Sequence, residues 1–341
     1  PAPEIRRLRS IWRTRDQWLQ NSCQCVQRMQ KALHEMNLLL PKVLSDITGK
    51  TGMKIIRAIV DGEHDPIKLA QFRDPRVRKS EEEIAEALRG DYRPELLFVL
   101  KMELEQYDFI ISKLRDFDRE VLQRMKELTV HCELNDETRE ENEKDHRRYR
   151  KRNAHVPDFD VRSMIHERIG IDLLAVPSFS SLTTLGLIFE VGIDMSKWPT
   201  EKHFASWLGL SPHLRVSGGK TLGSRTKKCA CRAARFFRQA ASTLRSNKSY
   251  LGDFYRRMRS RHGESHAITA TAHKLAIIFY KLLKNREPFR ELDRSDYEQA
   301  VHEQRIRKLV KRAQKLGFEL TATTDTAKAA LHNLEQYEAI G

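Results

Sequence analysis

The chain has 341 residues, 40% hydrophobic and 32% charged, with a formal net charge of +15 and a pI near 9.6. That length leaves room for two domains of ordinary size, and the charge is a long-range attraction for polyanions, nucleic acid first. No apolar run approaches the ~20 residues of a membrane span, Arg6, Arg7, Arg9 and Arg13 interrupt any signal-peptide core, and five cysteines fit a reducing cytosol. A cytoplasmic protein without membrane contact is therefore expected.

In chain order, residues 4–40 read as one long helix. Ile5, Leu8, Trp12, Leu19, Val26, Met29, Leu33, Met36 and Leu40 recur near the helical period, and Pro41 ends the run. Residues 41–93 read as shorter helices with turns at Thr48-Gly49, Asp61-Gly62 and Asp74-Pro75. A second long helix starts at Pro94, which suits a first helical position. Its stripe of Leu97, Leu100, Leu104, Tyr107, Ile111, Leu114, Val121, Met125 and Leu128 has heptad spacing, broken at Asp118. Such a seam serves either a coiled-coil arm joining protomers or a hairpin between the two long helices. Residues 135–153 are almost wholly polar, acids first and bases second, and form either a solvated helix or a linker.

A second part begins near His155-Val156-Pro157. Residues 165–176 predict an amphipathic helix, Pro177 to Ser180 a turn, and residues 182–191 an apolar helix. Helix, short turn, helix is the layout of a helix-hairpin-helix, whose turn amides grip a phosphate; here serines stand where glycines are usual, and a plain helical hairpin fits as well. Residues 200–209 predict a short helix with Phe204, Trp207 and Leu208 inward. Short strand signals occur only near residues 214–216 and 318–321.

The stretch from 208 to 235 reads LGLSPHLRVSGGKTLGSRTKKCACRAAR. Ser217 precedes two glycines and a dense basic run. Ser-Gly-Gly is ordinary turn chemistry, but a hydroxyl where backbone amides and guanidinium groups converge is also placed to attack a phosphodiester. Residues 226–246 predict a helix with a basic outer side. Between residues 215 and 261 fourteen Lys or Arg face one acid, Asp253. Phe236, Phe237, Tyr250, Phe254 and Tyr255 are interleaved there, to stack on bases or to fill a core. Residues 267–283 predict a packing helix. The Cys-x-Cys pairs Cys23/Cys25 and Cys229/Cys231 are more closely spaced than zinc half-sites and have no matching histidines, so no metal site is expected in this chain.

Three segments carry a resemblance: IDLLAVPSFSSLTTLGLIFEVG, WLGLSPHLRVSGGKTLGSRTKK and RHGESHAITATAHKLAIIFYKLLKNREPF. Together they resemble the C-terminal domain of the insertion-sequence one-hundred-ten type of transposase, the bridge-RNA-guided recombinases. The resemblance implies an enzyme that cuts and rejoins DNA, guided by a structured RNA. Its serine, Ser217 here, would form a phosphoserine intermediate. Gly218 and Gly219 would let the backbone approach the phosphate, and Lys220, Arg225, Lys227, Lys228, Arg232 and Arg235 would hold nucleic acid. The family also has an N-terminal RuvC-like domain whose DEDD acids bind magnesium. Residues 1–15 supply no carboxylate cluster, so the chain is expected to lack most of that domain and to be inactive alone. Where the family has Gly-Asn after the basic pair, Cys229-Ala230 stand here.

These readings predict a mainly α protein. Residues 1–155 form a long-helix, coiled-coil-like region, residues 156–295 a compact serine transposase domain with a helix-hairpin-helix-like element, and residues 296–341 a charged helical tail. DNA, a structured guide RNA and further copies of the chain are the expected partners. The competing readings are a non-catalytic nucleic-acid-binding helical protein and a coiled-coil scaffold.

Overall fold

The structure, a computed structural model, describes residues 2–150, 155–212, 215–218, 220–223, 226–227, 229, 231–291, 302–303, 306–307, 309–310 and 312–318. Those residues are mainly helical and divide into two units. Pro1–Gly170 joins Leu185–Ile193 in the first, and Ile171–Thr184 joins Asp194–Gly341 in the second.

The first unit is built on two long helices, α1 (Pro3–Glu35) and α6 (Pro94–Lys126), with four short helices between them: α2 (Leu40–Val43), α3 (Lys50–Val60), α4 (Pro66–Ala70) and α5 (Glu81–Ala87). Each long helix starts with proline in its first turn, where the missing N–H has no partner to lose. α1 and α6 pack on one another antiparallel, as the pairs Arg15–Asp118 and Arg28–Glu103 require. Of the two uses open to the heptad seam, the structure shows the intramolecular hairpin. Its core runs from Cys25, Met29 and Leu33 through Ile55, Ile56 and Ile59 to Leu100, Leu104 and Leu114.

α1 stops at Glu35, short of the predicted residue 40. Asn37 takes φ 57°, Leu38 N donates to Leu33 O and Asn37 N to His34 O, a left-handed cap that closes the last carbonyls. Leu38 and Leu40 keep the apolar period going because they are buried from outside the helix.

The polar stretch forms α7 (Asp136–Arg150), and one residue of it, Asn142, is buried, donating to Ser163 Oγ of α8 (Val161–Ile169) at 3.0 Å. The predicted helix over 165–176 is shifted. α8 begins after Asp160, whose carboxylate accepts from Arg162 N and Ser163 N, and ends at Gly170 with φ 79°. Leu173–Ala175 is a separate 3-10 turn capped by Asp172. α9 (Ser181–Val191) follows, and its C-terminal part is tied into the first unit: Arg9 donates to the Phe189 and Glu190 carbonyls, Arg13 grips the Glu190 carboxylate, and Trp12 meets Phe189 edge-on.

The second unit holds α10 (Glu201–Trp207), a two-stranded hairpin of β1 (Arg215–Ser217) and β2 (Lys220–Gly223), α11 (Arg232–Thr243), α12 (Tyr250–His262) and α13 (Glu264–Asn285). Its centre is aromatic: Phe204, Phe237 and Phe279 meet with ring centroids 5.5–6.3 Å apart, and Phe179 joins them. Trp207, expected inward, is instead 46% exposed and lies at the edge of the short helix against Trp198 and Phe204. α11 starts at Arg232, six residues later than predicted; Arg215–Ser217 and Lys220–Gly223 are strands and Thr226 is bridged to Pro212. Among the described residues no helix is long and apolar enough to cross a membrane.

Candidate nucleic-acid interface

Ser217 ends β1 and pairs in register with Lys220, the first residue of β2, and Gly218 opens the turn between them. Gly218 has φ 56°, the left-handed value that primed hairpin turns require at this position and that a side chain disfavours. A Cβ there would meet nothing within 4 Å, so the tip is open. Ser217 and Gly218 are both exposed. The hydroxyl thus stands beside a turn whose backbone has no side-chain cover on Gly218, an arrangement that lets a bulky phosphate approach. Gly219, Arg225 and Lys228 lie outside the described residues, and of Lys220 only the backbone is described.

The ladder carries a bulge, because Arg215 pairs with Gly223 and Val216 with Thr221, which leaves Leu222 as the extra residue. A further bridge joins Pro212 to Thr226. Gly209 seats the base of the excursion. It has φ 67°, and a Cβ there would sit 2.6 Å from Cys229 Cβ and 3.2 Å from Lys227 O. Cys229, where the resemblance leads one to expect glycine, is thus packed over a glycine elsewhere. Lys227 is exposed.

α11 shows why its basic residues face out. Ala233, Ala234, Phe237, Ala240 and Ala241 form its buried stripe, and Arg232 and Arg235 fall on the other side, exposed. The alanines let the helix lie close to its neighbours, and the arginines extend from it. Arg235 leans on the Phe236 ring with its guanidinium 5.5 Å from the centroid. Among the described residues Arg232, Arg238, Arg245, Lys248, Arg259 and Arg261 have no carboxylate within ion-pair distance; on α12, Arg256 pairs with Asp253.

The interleaved aromatics divide. Phe237, Tyr250 and Tyr255 are buried, so they fill the core. Phe254 is half-buried and lies under two cations, Arg257 at 5.9 Å and Lys274 at 4.8 Å, and Lys274 also covers Tyr250 at 4.9 Å. Burial, with Arg257 nearby, pushes the Lys274 ammonium below the ordinary lysine range. Sequence reading missed Lys274; its one signal is a lysine beside His273, just before the apolar run Leu275–Phe279. At the turn before α9, Ser178 takes φ 80° and its buried Oγ has no partner among the described residues. The serine adopts the left-handed conformation for which glycine is usual.

Among the described residues no group of three or more His, Cys, Asp or Glu is placed to hold a metal ion.

Residues 172–256 match the family model described as Transposase IS116/IS110/IS902 family. No curated protein matches the chain. The matched span holds the Ser217 hairpin, all of α11 and the first half of α12. The match supports a transposase of the insertion-sequence kind, a class of protein that acts on DNA.

Proposed function

We propose that this protein is a DNA transposase of an insertion sequence in which Ser217 attacks a DNA phosphate and forms a phosphoserine. The observation that carries the reading is an exposed serine beside an uncovered glycine turn, inside the span that matches transposases. In the attack, Ser217 Oγ forms the new bond to phosphorus as the bond to one deoxyribose oxygen breaks. The serine proton leaves to a base and the departing oxygen takes one up. The pentavalent phosphorus carries extra negative charge, which cations such as Lys220, Arg225, Lys227 and Lys228 would offset, with the open glycine backbone adding N–H donors. Arg232 and Arg235, exposed on α11, would track the phosphate backbone.

In this reading residues 156–295 act as the serine-bearing domain and residues 1–155 as the arm. A structured guide RNA selects the DNA partners, and copies of the chain assemble on it. The alternative, a non-catalytic module that grips nucleic acid through the α11 face, keeps the binding and makes Ser217 silent.

Covalent trapping separates the two. Labelled element-end DNA and cognate RNA are incubated with the chain and with Ser217→Ala, each alone and with a RuvC-like metal-binding domain supplied. A denaturing gel is expected to show an adduct with Ser217 and none with Ser217→Ala, while filter binding is unchanged. No adduct in any mixture, with salt-sensitive binding retained, is the outcome the non-catalytic module predicts.

A further inference from the structure

The first unit carries a cationic cleft that the serine chemistry does not use. It measures about 740 Å³ and lies between the α2–α3 segment and the loop of residues 74–79. Lys42, Lys50, Arg76, Arg78 and Lys79 line it, all five exposed. Two carboxylates, Asp46 and Asp74, oppose them. Asp74 is shared between Arg76 at 2.9 Å and Lys50 at 3.4 Å, which holds its carboxyl well below the usual range. Asp46 is turned to its own loop, accepting from Thr48 N and Oγ1. Lys79 pairs with Glu83 at 2.6 Å. Lys42 and Arg78 have no carboxylate within ion-pair distance among the described residues.

The walls are braced. Arg73 donates to Lys79 O at 2.6 Å and to Val77 O at 2.7 Å, so one side chain fixes the loop that displays three of the cations. Asp74 N donates to the buried Thr51 Oγ1 at 2.9 Å, which ties that loop to the first turn of α3. Ser80 and Glu83 close a capping box directly after it. On the facing side, a Cβ at Gly52 would come within 2.3 Å of Ile47 O, so the start of α3 and the turn before it are locked together. Gly49 caps α3 without a side chain, leaving the positive end of the helix to the cleft. Cations held by a rigid frame lose little freedom on binding an anion, and several across one cleft suit a chain of anions better than a single one.

We infer that this cleft is a second nucleic-acid contact, which takes the phosphodiester backbone through Lys42 and Arg78 and is separate in sequence from the serine-bearing segment. The inference rests on the transposase reading for its ligand and on the cleft for its place. Phosphodiester comes as duplex DNA or as folded RNA, so the full chain is titrated with each over a range of salt.

Lys42→Ala/Arg78→Ala is compared with Arg232→Ala/Arg235→Ala, and thermal melting checks that both remain folded. The cleft variant is expected to weaken binding of one of the two ligands about ten-fold at 150 mM salt. It should lower the salt slope by roughly 1.5–2, as loss of two phosphate contacts requires. Lys42→Arg/Arg78→Lys should restore both. Loss confined to DNA or to RNA identifies the source. Wild-type affinity and slope for both ligands in the cleft variant, with binding lost in the α11 variant, would overturn the cleft and leave the transposase reading standing. No binding of either ligand by the unaltered chain would overturn both.

Discussion

Arginine has opposite fates in the two units. In the first, Arg15 is 2% exposed and paired: Nε donates to Asp118 Oδ1 at 2.6 Å, Nη2 to Oδ2 at 3.3 Å and to His155 O at 2.9 Å, and Trp12 lies beneath it at 5.0 Å. In the second, Arg232 extends into solvent from an alanine-packed helix with no carboxylate in reach among the described residues. Burying a guanidinium is tolerable only with its charge matched and its donors filled. An exposed, unmatched one does nothing for the fold and remains available to a phosphate. Arg232 lies within the span that matches transposases.

The sharpest way to break that contrast is to remove Asp118. Asp118→Ala should cost about 3–5 kcal/mol, since it strands a buried charge, and the urea midpoint of unfolding should fall accordingly. Asp118→Leu paired with Arg15→Met should recover most of the loss. A small effect of Asp118→Ala would mean the pair is not buried in solution.

Next is the seat of the hairpin. Gly209→Ala forces a side chain into a left-handed backbone and against Cys229, and should cost about 1–3 kcal/mol. Cys229→Ala should not rescue it, because the close contact is with Cβ.

The mirror of Asp118 is Arg232. Arg232→Ala should change stability by less than about 0.5 kcal/mol, yet lower the salt slope of nucleic-acid binding by about 0.9. Loss of stability instead would place Arg232 in the fold.

A further small effect is expected at His155, whose carbonyl receives Arg15. Burial, with Arg15 beside it, depresses its pKa below the ordinary histidine value, and its Nδ1 has no partner among the described residues. The folded state therefore binds this proton less readily than the unfolded chain. Stability from this group is present above the unfolded pKa of about 6.5 and is lost as pH falls toward the folded one. Comparing unfolding at pH 7 and pH 5.5, His155→Gln should flatten the dependence by less than about 1 kcal/mol.

What the sequence made legible was local. Pro94 marks the start of α6, Ser-Gly-Gly marks a turn, which Gly218 opens, and the period-3.6 stripes mark the long helices. The α1 end was hidden because Asn37 breaks the helix inside an apolar period that Leu38 and Leu40 continue for other reasons. Asp160 and Gly170 are signals that bracket α8, and a longer apolar stretch obscured them. Asp118 read as a flaw in a heptad seam because its partner lies 103 residues away. The cationic cleft was equally invisible, since Lys42 and Arg78 are brought together by the fold, whereas the serine motif is continuous in the chain.

The most direct test of the central claim is to digest the trapped protein–DNA adduct and locate the attachment by peptide mass spectrometry. The account predicts a nucleotide on Ser217. Attachment at any other residue, or an adduct that persists in Ser217→Ala, would contradict it.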